Sequence, residues 1–345
     1  KGKYLFNGSY RRDGSSAFSY TGNQWQNFYS VGLGWLMSEE EWMKGIEWLD
    51  MLKLKGSWGT LGNQNLDRAY PAEPLLSNAY SAVFGTPSAI YPGYQLAYLP
   101  NPNLRWEKVE AWEVGAEANF FRNRLHFEGV YYKKKTKDLL AEVPGISGTV
   151  PGIGNLGSIE NLGVELALSW RDQIGDWNYN VGANLTTIKN KVLSLVQDGY
   201  SIIAGDKSQS YTMAGYPIGY FYGYKVAGVY QNETDIETSA PNQVASVKPG
   251  DLKFADVNGD GIISEKDRTM IGNPTPDFTY GFSVNLGYKN FDLSVDMMGV
   301  YGNEVYRNWD SSAYAQFNYR TGHLNRWHGE GTSNWDPILD PSRSV

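Results

Sequence analysis

The sequence predicts an all-β fold: part of an antiparallel transmembrane β-barrel with long external loops. Three observations carry that expectation. Nine segments alternate apolar and polar side chains with a period of two, as strands do when successive side chains point to opposite faces. The polar phase is rich in Gly, Asn and Ser, and aromatics gather near the strand ends of the apolar phase. The connections alternate between short and long, as the periplasmic turns and extracellular loops of outer-membrane barrels do. A soluble β-sandwich or propeller is the competing reading. Its outer face would be expected to carry many Lys, Glu and Thr residues, where this polar phase is rich in Gly, Asn and Ser.

The first strands are expected at 3–11, 26–36 and 49–59; in the last, Leu52, Leu54 and Trp58 oppose Lys53, Lys55 and Ser57. Between the second and third lies "SEEEWMKGIEWL" (38–49), where Ser38 and Glu41 have capping-box spacing and predict a helical turn. A long connection covers 60–106. The strand at 107–121 sets Trp112, Val114, Ala116, Ala118 and Phe120 against Glu113, Gly115, Glu117 and Asn119. The short turn "FRNR" (121–124) leads into 125–136, and a second long connection covers 137–159.

A strand at 160–170 and the turn "RDQIGD" (171–176) precede "WNYNVGANLT" (177–186), the cleanest alternation in the chain. Strands at 278–288 and 291–298 flank the turn "YKN" (288–290), and a further long segment runs from 299 onward. Parity places everything from 187 to 277 on one side, so the aromatic run "YPIGYFYGYKVAGVYQ" (216–231) is expected to fold within a long extracellular loop rather than to cross.

Composition narrows the function classes. A net charge of −7 argues against nucleic acid as a partner. There is no cysteine, and His126, His323 and His328 are too scattered for a metal cluster. No run of 18 apolar residues exists, so no transmembrane helix is expected. The 25 Tyr and 12 Trp suit surfaces with one apolar and one wet edge. The chain opens within a strand at "KGKYLFNGSY" and stops at "DPSRSV", so it is expected to be a fragment.

The stretch "DVNGDGIISEKD" (256–267) has near EF-hand spacing. Asp256, Asn258, Asp260, Ser264 and Asp267 offer side-chain oxygens, Ile262 a backbone carbonyl, and Gly261 the sharp turn. Asp267 stands where a longer bidentate Glu is usual, and the flanks carry Pro and Gly instead of helices, which argues against a calcium sensor. Two readings stay open: a structural Ca2+ or Mg2+ site pinning the loop, and an Asx-rich turn held by its own side-chain to backbone bonds.

Chemistry-bearing motifs are weak. "GIGNLG" (152–157) satisfies G-x-G-x-x-G but lacks the strand–helix context of a dinucleotide site. Glu113 and Glu117 share a strand face, for which a glycosidase-like spacing near 6.6 Å is expected, yet they keep phase with Gly and Asn. No catalytic residue is assigned, and no substrate-binding residue is identified. The loop aromatics Tyr91, Tyr94, Trp106, Tyr211, Tyr220, Tyr222, Trp309 and Trp327 suit either packing or stacking on sugars and peptides.

The segments "YRRDGSSAF", "WLDMLKLKGSWGTLGNQ", "NPNLRWEKVEAWEVG", "YYKKKTKDLL", "SIENLGVELALSW", "PGDLKFADVNGDGIISEKDRTMIGNPTPDFTYGF" and "NRWHGEGTSN" resemble, in order and spacing, the SusC-like (SusC/RagA) TonB-dependent outer-membrane transporters. The resemblance implies part of a 22-stranded multi-pass barrel in the outer membrane over 1–345, with the plug domain and closing strands elsewhere. It further implies a SusD-like lipoprotein partner, energy from the TonB complex, and import of oligosaccharides, with peptides as the alternative cargo. Its outer loops include a D-x-N-G-D-G segment, matched here by Asp256–Gly261. A passive porin, a soluble carbohydrate-binding β-protein and a repeat-built adhesin are the rival classes; no fixed-period repeat is present.

Overall fold

The computed structural model describes residues 2–66, 68–143, 150–196, 199–205, 208–307 and 321–338, within which two compact units form. The larger comprises 1–201, 212–218 and 275–302 and is built on one antiparallel sheet. Nine strands follow one another in it: β1 (Tyr4–Gly14), β2 (Trp25–Leu36), β3 (Leu49–Asn63), β4 (Glu107–Phe120), β5 (Leu125–Lys137), β6 (Gly157–Ile174), β7 (Trp177–Thr187), β8 (Phe278–Tyr288) and β9 (Phe291–Tyr301). Each pairs only with its sequence neighbours along this path, so the sheet is a meander. All nine expected strands are present, and most run longer than their alternation suggested. A tenth segment, Lys189–Leu195, continues β7 past Ile188 and stays paired to β6.

The register aligns the apolar phase across neighbouring strands. Phe6 faces Leu33, Trp58 faces Val31 and Trp112, Val114 faces Tyr131, and Tyr131 faces Val164. Farther along, Leu168 faces Ala183, Ala183 faces Phe282, and Phe282 faces Met297. Among the described residues nothing covers this face: Phe6 is 75% exposed, Val114 62% and Leu293 56%. A soluble sandwich buries that face against a second sheet; here it stands open.

Aromatic pairs mark both ends of the open face. At the short-turn end Trp48 stacks on Phe120 at 5.8 Å and Trp177 lies 4.5 Å from Tyr288. At the other end Tyr10 meets Tyr29 at 5.4 Å, Trp58 meets Trp112 at 5.9 Å, and Phe278 meets Tyr301 at 5.0 Å. The eight steps from Trp112 to Phe120 rise ~27 Å along the strand, or roughly 20 Å at a barrel tilt near 40°.

Two local expectations are revised. The Ser38–Glu41 capping box does not form. A 3-10 turn spans Met37–Glu39 with no side-chain cap, and Glu40 instead accepts from Tyr4 Oη (2.8 Å), Trp35 Nε1 (3.1 Å) and Lys3 Nζ (3.1 Å). The long connections also carry strands of their own. Leu76–Phe84 pairs with Ala89–Leu96, and Leu140–Val143 pairs with Gly152–Asn155.

Under these connections lies a core of Phe18, Phe28, Ala72, Leu104, Trp106 and Ile153. Trp106 is 5% exposed, stacks 5.4 Å from Phe18, and donates its indole N–H to Asn23 O at 3.0 Å.

The smaller unit comprises 202–211, 219–274 and 303–345. Tyr220–Tyr224 pairs with Arg268–Gly272, and Val226–Val229 pairs with Leu252–Phe254. A short helix, α1 (Glu233–Thr238), is capped by Asn232, whose Oδ1 accepts from Asp235 N at 2.8 Å. Tyr220, Val229, Tyr230 and Ile263 are buried. The run 216–231 contributes no strand to the large sheet.

Candidate functional site

Two features concentrate polar chemistry, one in each unit. In the larger unit it is the polar face of the sheet, where Asn7, Gly32, Ser57 and Glu113 line up through successive registers. On the same face Lys53 reaches Glu117 at 3.5 Å, Lys55 bonds Glu128, and Lys134 lies 3.9 Å from Glu113. Farther along, Asn119 bonds His126 Nδ1 at 2.7 Å and Ser294 donates to Asn285 at 2.8 Å. An open groove runs here over Asn7, Lys53, Ser57, Glu113, Glu128 and Glu165.

Glu113 and Glu117 are therefore no acid–base pair. They stand four residues apart, so roughly 13 Å of strand separates them, and each faces its own lysine. What the face offers is a wall of paired charges and amides.

The G-x-G-x-x-G match resolves into strand packing. Gly152–Asn155 is a strand and β6 begins at Gly157, with no helix after it. A Cβ on Gly152 would approach Leu99 O at 2.7 Å, and one on Gly157 would collide with the Ser194 backbone. The glycines are there for close backbone approach.

In the smaller unit, the loop 256–267 wraps around its own carboxylates. Asp256 accepts from Gly259 N and Gly261 N, both at 2.7 Å, while Gly259 and Gly261 take φ of 76° and 82°. Asn258 Oδ1 accepts from Asp260 N at 2.8 Å, and Asp260 Oδ1 accepts from Ile262 N at 3.0 Å. Asp267 is fully buried; it accepts from Val257 N (2.9 Å), Asn258 N (3.3 Å) and Ser264 N (2.8 Å).

Ser264 and Asp267 form a capping box on the 3-10 turn Glu265–Asp267. These backbone donors, the Ser264 amide foremost, hold the Asp267 carboxyl below its usual range although burial opposes them. Of the six expected ligand residues, the structure brings one carboxylate oxygen each of Asp256, Asp260 and Asp267 within 4.8 Å of one another. Asn258 Oδ1 accepts from Asp260 N and Ser264 Oγ from Lys266 N, while Ile262 contributes its amide, rather than the expected carbonyl, to the loop's own bonds.

Directly after the loop, Arg268 lies over three rings: Tyr222 at 5.0 Å, and Tyr211 and Tyr224 at 5.9 Å each. Burial, and then the neighbouring Glu265 carboxylate, push the Tyr224 phenol up to about 12. Of the loop aromatics expected as stacking platforms, Trp106 and Tyr220 are buried and Tyr211 and Tyr222 flank Arg268; Tyr91 and Tyr94 are exposed. Trp309 lies outside the described residues. The Arg268 cage escaped sequence reasoning, although the alternate spacing of Tyr222 and Tyr224 was its available signal.

Comparison with known proteins gives a consistent set of likenesses. A profile described as TonB dependent receptor-like, beta-barrel, matches residues 1–328. TonB-dependent receptor P26 of Formosa agariphila is 35% identical over 89% of this chain and 31% of its own length. TonB-dependent receptor SusC of Bacteroides thetaiotaomicron is 32% identical over 88% of this chain and 30% of its own. Among solved structures, the RagAB peptide transporter superposes with a TM-score of 0.69 at 26% identity, over 87% of this chain and 31% of that one. The chain thus spans about a third of the length of the relatives it matches.

Proposed function

From the premise that this chain belongs to the TonB dependent receptor-like β-barrel family, we propose that it is a lipid-embedded wall of an outer-membrane transporter that imports oligosaccharides. The observation that carries the reading is the open apolar face, bounded by aromatics at both ends and backed by a polar face. The roughly 20 Å between aromatic rows, tilt already included, is close to the ~25 Å apolar band of outer-membrane barrels, whose membrane is thinner than average. The polar face then borders a hydrated path, and the paired lysines and carboxylates along it let a neutral sugar pass without capture by unpaired charge.

Gating and energy coupling belong to parts of the transporter beyond this stretch, driven by the TonB complex. A SusD-like lipoprotein is the expected partner on the long-connection side, with 187–277 as its main extracellular loop. The relatives are TonB-dependent receptors rather than enzymes, and no covalent chemistry is assigned to any residue.

The likeness to the RagAB peptide transporter favours peptides as the second reading of the cargo. The test is to purify the full-length protein from outer membranes in detergent and identify by mass spectrometry what accompanies it. A lipoprotein with bound glycan supports the first reading, and bound peptide the second. A protein that stays soluble without detergent, or a lone channel passing solutes freely, would overturn both.

The loop at 256–267 supports a further assignment: a single Ca2+ or Mg2+ held by Asp256, Asp260 and Asp267. Three carboxylates converge there, and among the described residues no lysine or arginine pairs with them. A bound cation would neutralise that repulsion and pin the loop. Calcium added to chelator-treated protein is expected to raise its unfolding temperature, with affinity in the weak extracellular regime of roughly 10⁻⁴–10⁻³ M. No shift would leave the loop as a self-bonded turn.

A further inference from the structure

The apolar face does not end in neutral residues at its long-connection end. Beyond the Trp58–Trp112 pair the outward phase turns basic on three of four adjacent strands, with β6 between them. β4 contributes Lys108, β5 contributes Lys133, Lys135 and Lys137, and the continuation of β7 contributes Lys189 and Lys191. The register joins them in rows. Lys133 lies beside Trp112 and Leu162, and Leu162 beside Lys189; Lys135 lies between Glu110 and Glu160, and Glu160 beside Lys191; Lys108 lies beside Lys137.

Two carboxylates share this rim with six lysines, and both are taken. Glu160 bonds Lys133 at 3.0 Å and Glu110 bonds Lys137 at 2.8 Å. Among the described residues Lys108, Lys135, Lys189 and Lys191 have no carboxylate within 4.0 Å. The excess is local in a chain whose net charge is −7. Fewer cations stand unpaired at the other end, where among the described residues Arg122 and Arg171 have no carboxylate within 4.0 Å. At the short-turn end Lys3, Arg124 and Lys289 each face a carboxylate, at 3.1, 3.2 and 3.6 Å.

We propose that this lysine rim binds the phosphate groups of a phosphorylated glycolipid in the outer leaflet. The inference rests on the reading of the chain as an outer-membrane barrel wall. Continuity argues for a lipid: acyl chains lying along Val114, Leu166 and Leu168 would bring a headgroup to these rows, immediately past the aromatic pair. Charge complementarity argues for phosphate. Lysine is a compact point charge on a flexible stem, and four unpaired ammonium groups on one face suit a multiply charged oxyanion. The rim spans three inter-strand steps, ~14 Å across, which suits two phosphates on one headgroup better than a single ion.

The test uses the full-length protein recovered from outer membranes and exchanged into detergent, with fluorescent diphosphoryl lipid A and its phosphate-free counterpart as probes. Each lysine near a charged lipid surface contributes about fivefold in affinity, so diphosphoryl lipid A is expected to bind at least tenfold tighter than the phosphate-free form. Replacing Lys108, Lys135, Lys189 and Lys191 by Gln should abolish the preference, and replacing them by Arg should restore it. Inorganic phosphate at equal concentration should not displace the lipid. Equal binding of both lipids, an unchanged Gln variant, or displacement by inorganic phosphate would overturn the inference while the barrel reading stands. Absence of the protein from outer membranes would overturn both.

Discussion

At the scale of single residues, Asp267 does the most with one side chain. Its carboxylate accepts three backbone N–H bonds that tie the start of the acidic loop to its end, and it is fully buried. Its pKa is depressed below the ordinary 3.8, chiefly by the Ser264 amide. A depressed carboxyl contributes stability that is present above the unfolded value and is lost as pH falls through the folded one. The loop is therefore expected to hold at neutral pH and to loosen only below about pH 4, read as faster amide exchange at Val257, Asn258 and Ser264. Asp267→Asn should produce the same loosening at pH 7, because an amide presents one acceptor oxygen where the carboxylate presents two. Unchanged exchange in that variant would show that Asp256 and its glycine turns hold the loop alone.

At the scale of elements, the two faces of β6 make opposite predictions. Leu168 projects from the apolar face and Ser169, its neighbour, from the polar one. Leu168→Arg should destabilise the folded protein in lipid vesicles by about 2–4 kcal/mol in denaturant titration, whereas Ser169→Arg should change it little. Equal effects would mean that neither face meets lipid. Under the long connections, Trp106→Ala should cost about 3–5 kcal/mol, since a buried indole and its bond to Asn23 are both removed; urea titration of the full-length protein checks it.

These elements also show what the sequence made legible. The alternation of Trp177, Tyr179, Val181, Ala183 and Leu185 locates β7 because neighbouring strands keep one face apolar throughout its length. The hairpin Leu76–Phe84 with Ala89–Leu96 left no such pattern, because apolar residues such as Val83, Phe84, Ile90 and Tyr91 stand exposed at consecutive positions in it. Trp106 was legible only as a loop aromatic, since the partners that bury it, Phe18 and Phe28, come from distant chain. The acidic loop was legible in its spacing, but not in its bonding: Ser264 serves the backbone as a cap, which position counting along a twelve-residue loop does not distinguish from a ligand.

At the scale of the whole molecule, the two aromatic rows fix a depth as well as a boundary. In vesicles of lipids brominated at defined carbons, the fluorescence lost between the parent protein and Trp112→Phe is expected to be quenched most by bromines near the headgroup and least by those at the midplane. The reverse order would place Trp112 inside the bilayer and shift the whole band. The meander also has a kinetic side. Most joins along the sheet close over short stretches of chain, so strands can be added one after another as a zipper. The β7–β8 join must instead wait for roughly 90 residues, and closing so long a loop costs about 3 kcal/mol more chain entropy than a two-residue turn. The smaller unit lies mostly inside that interval and has its own strands and buried residues. Once folded, it shortens the effective tether, so the pace at which the wall is completed is set by a segment that contributes no strand to β1–β9.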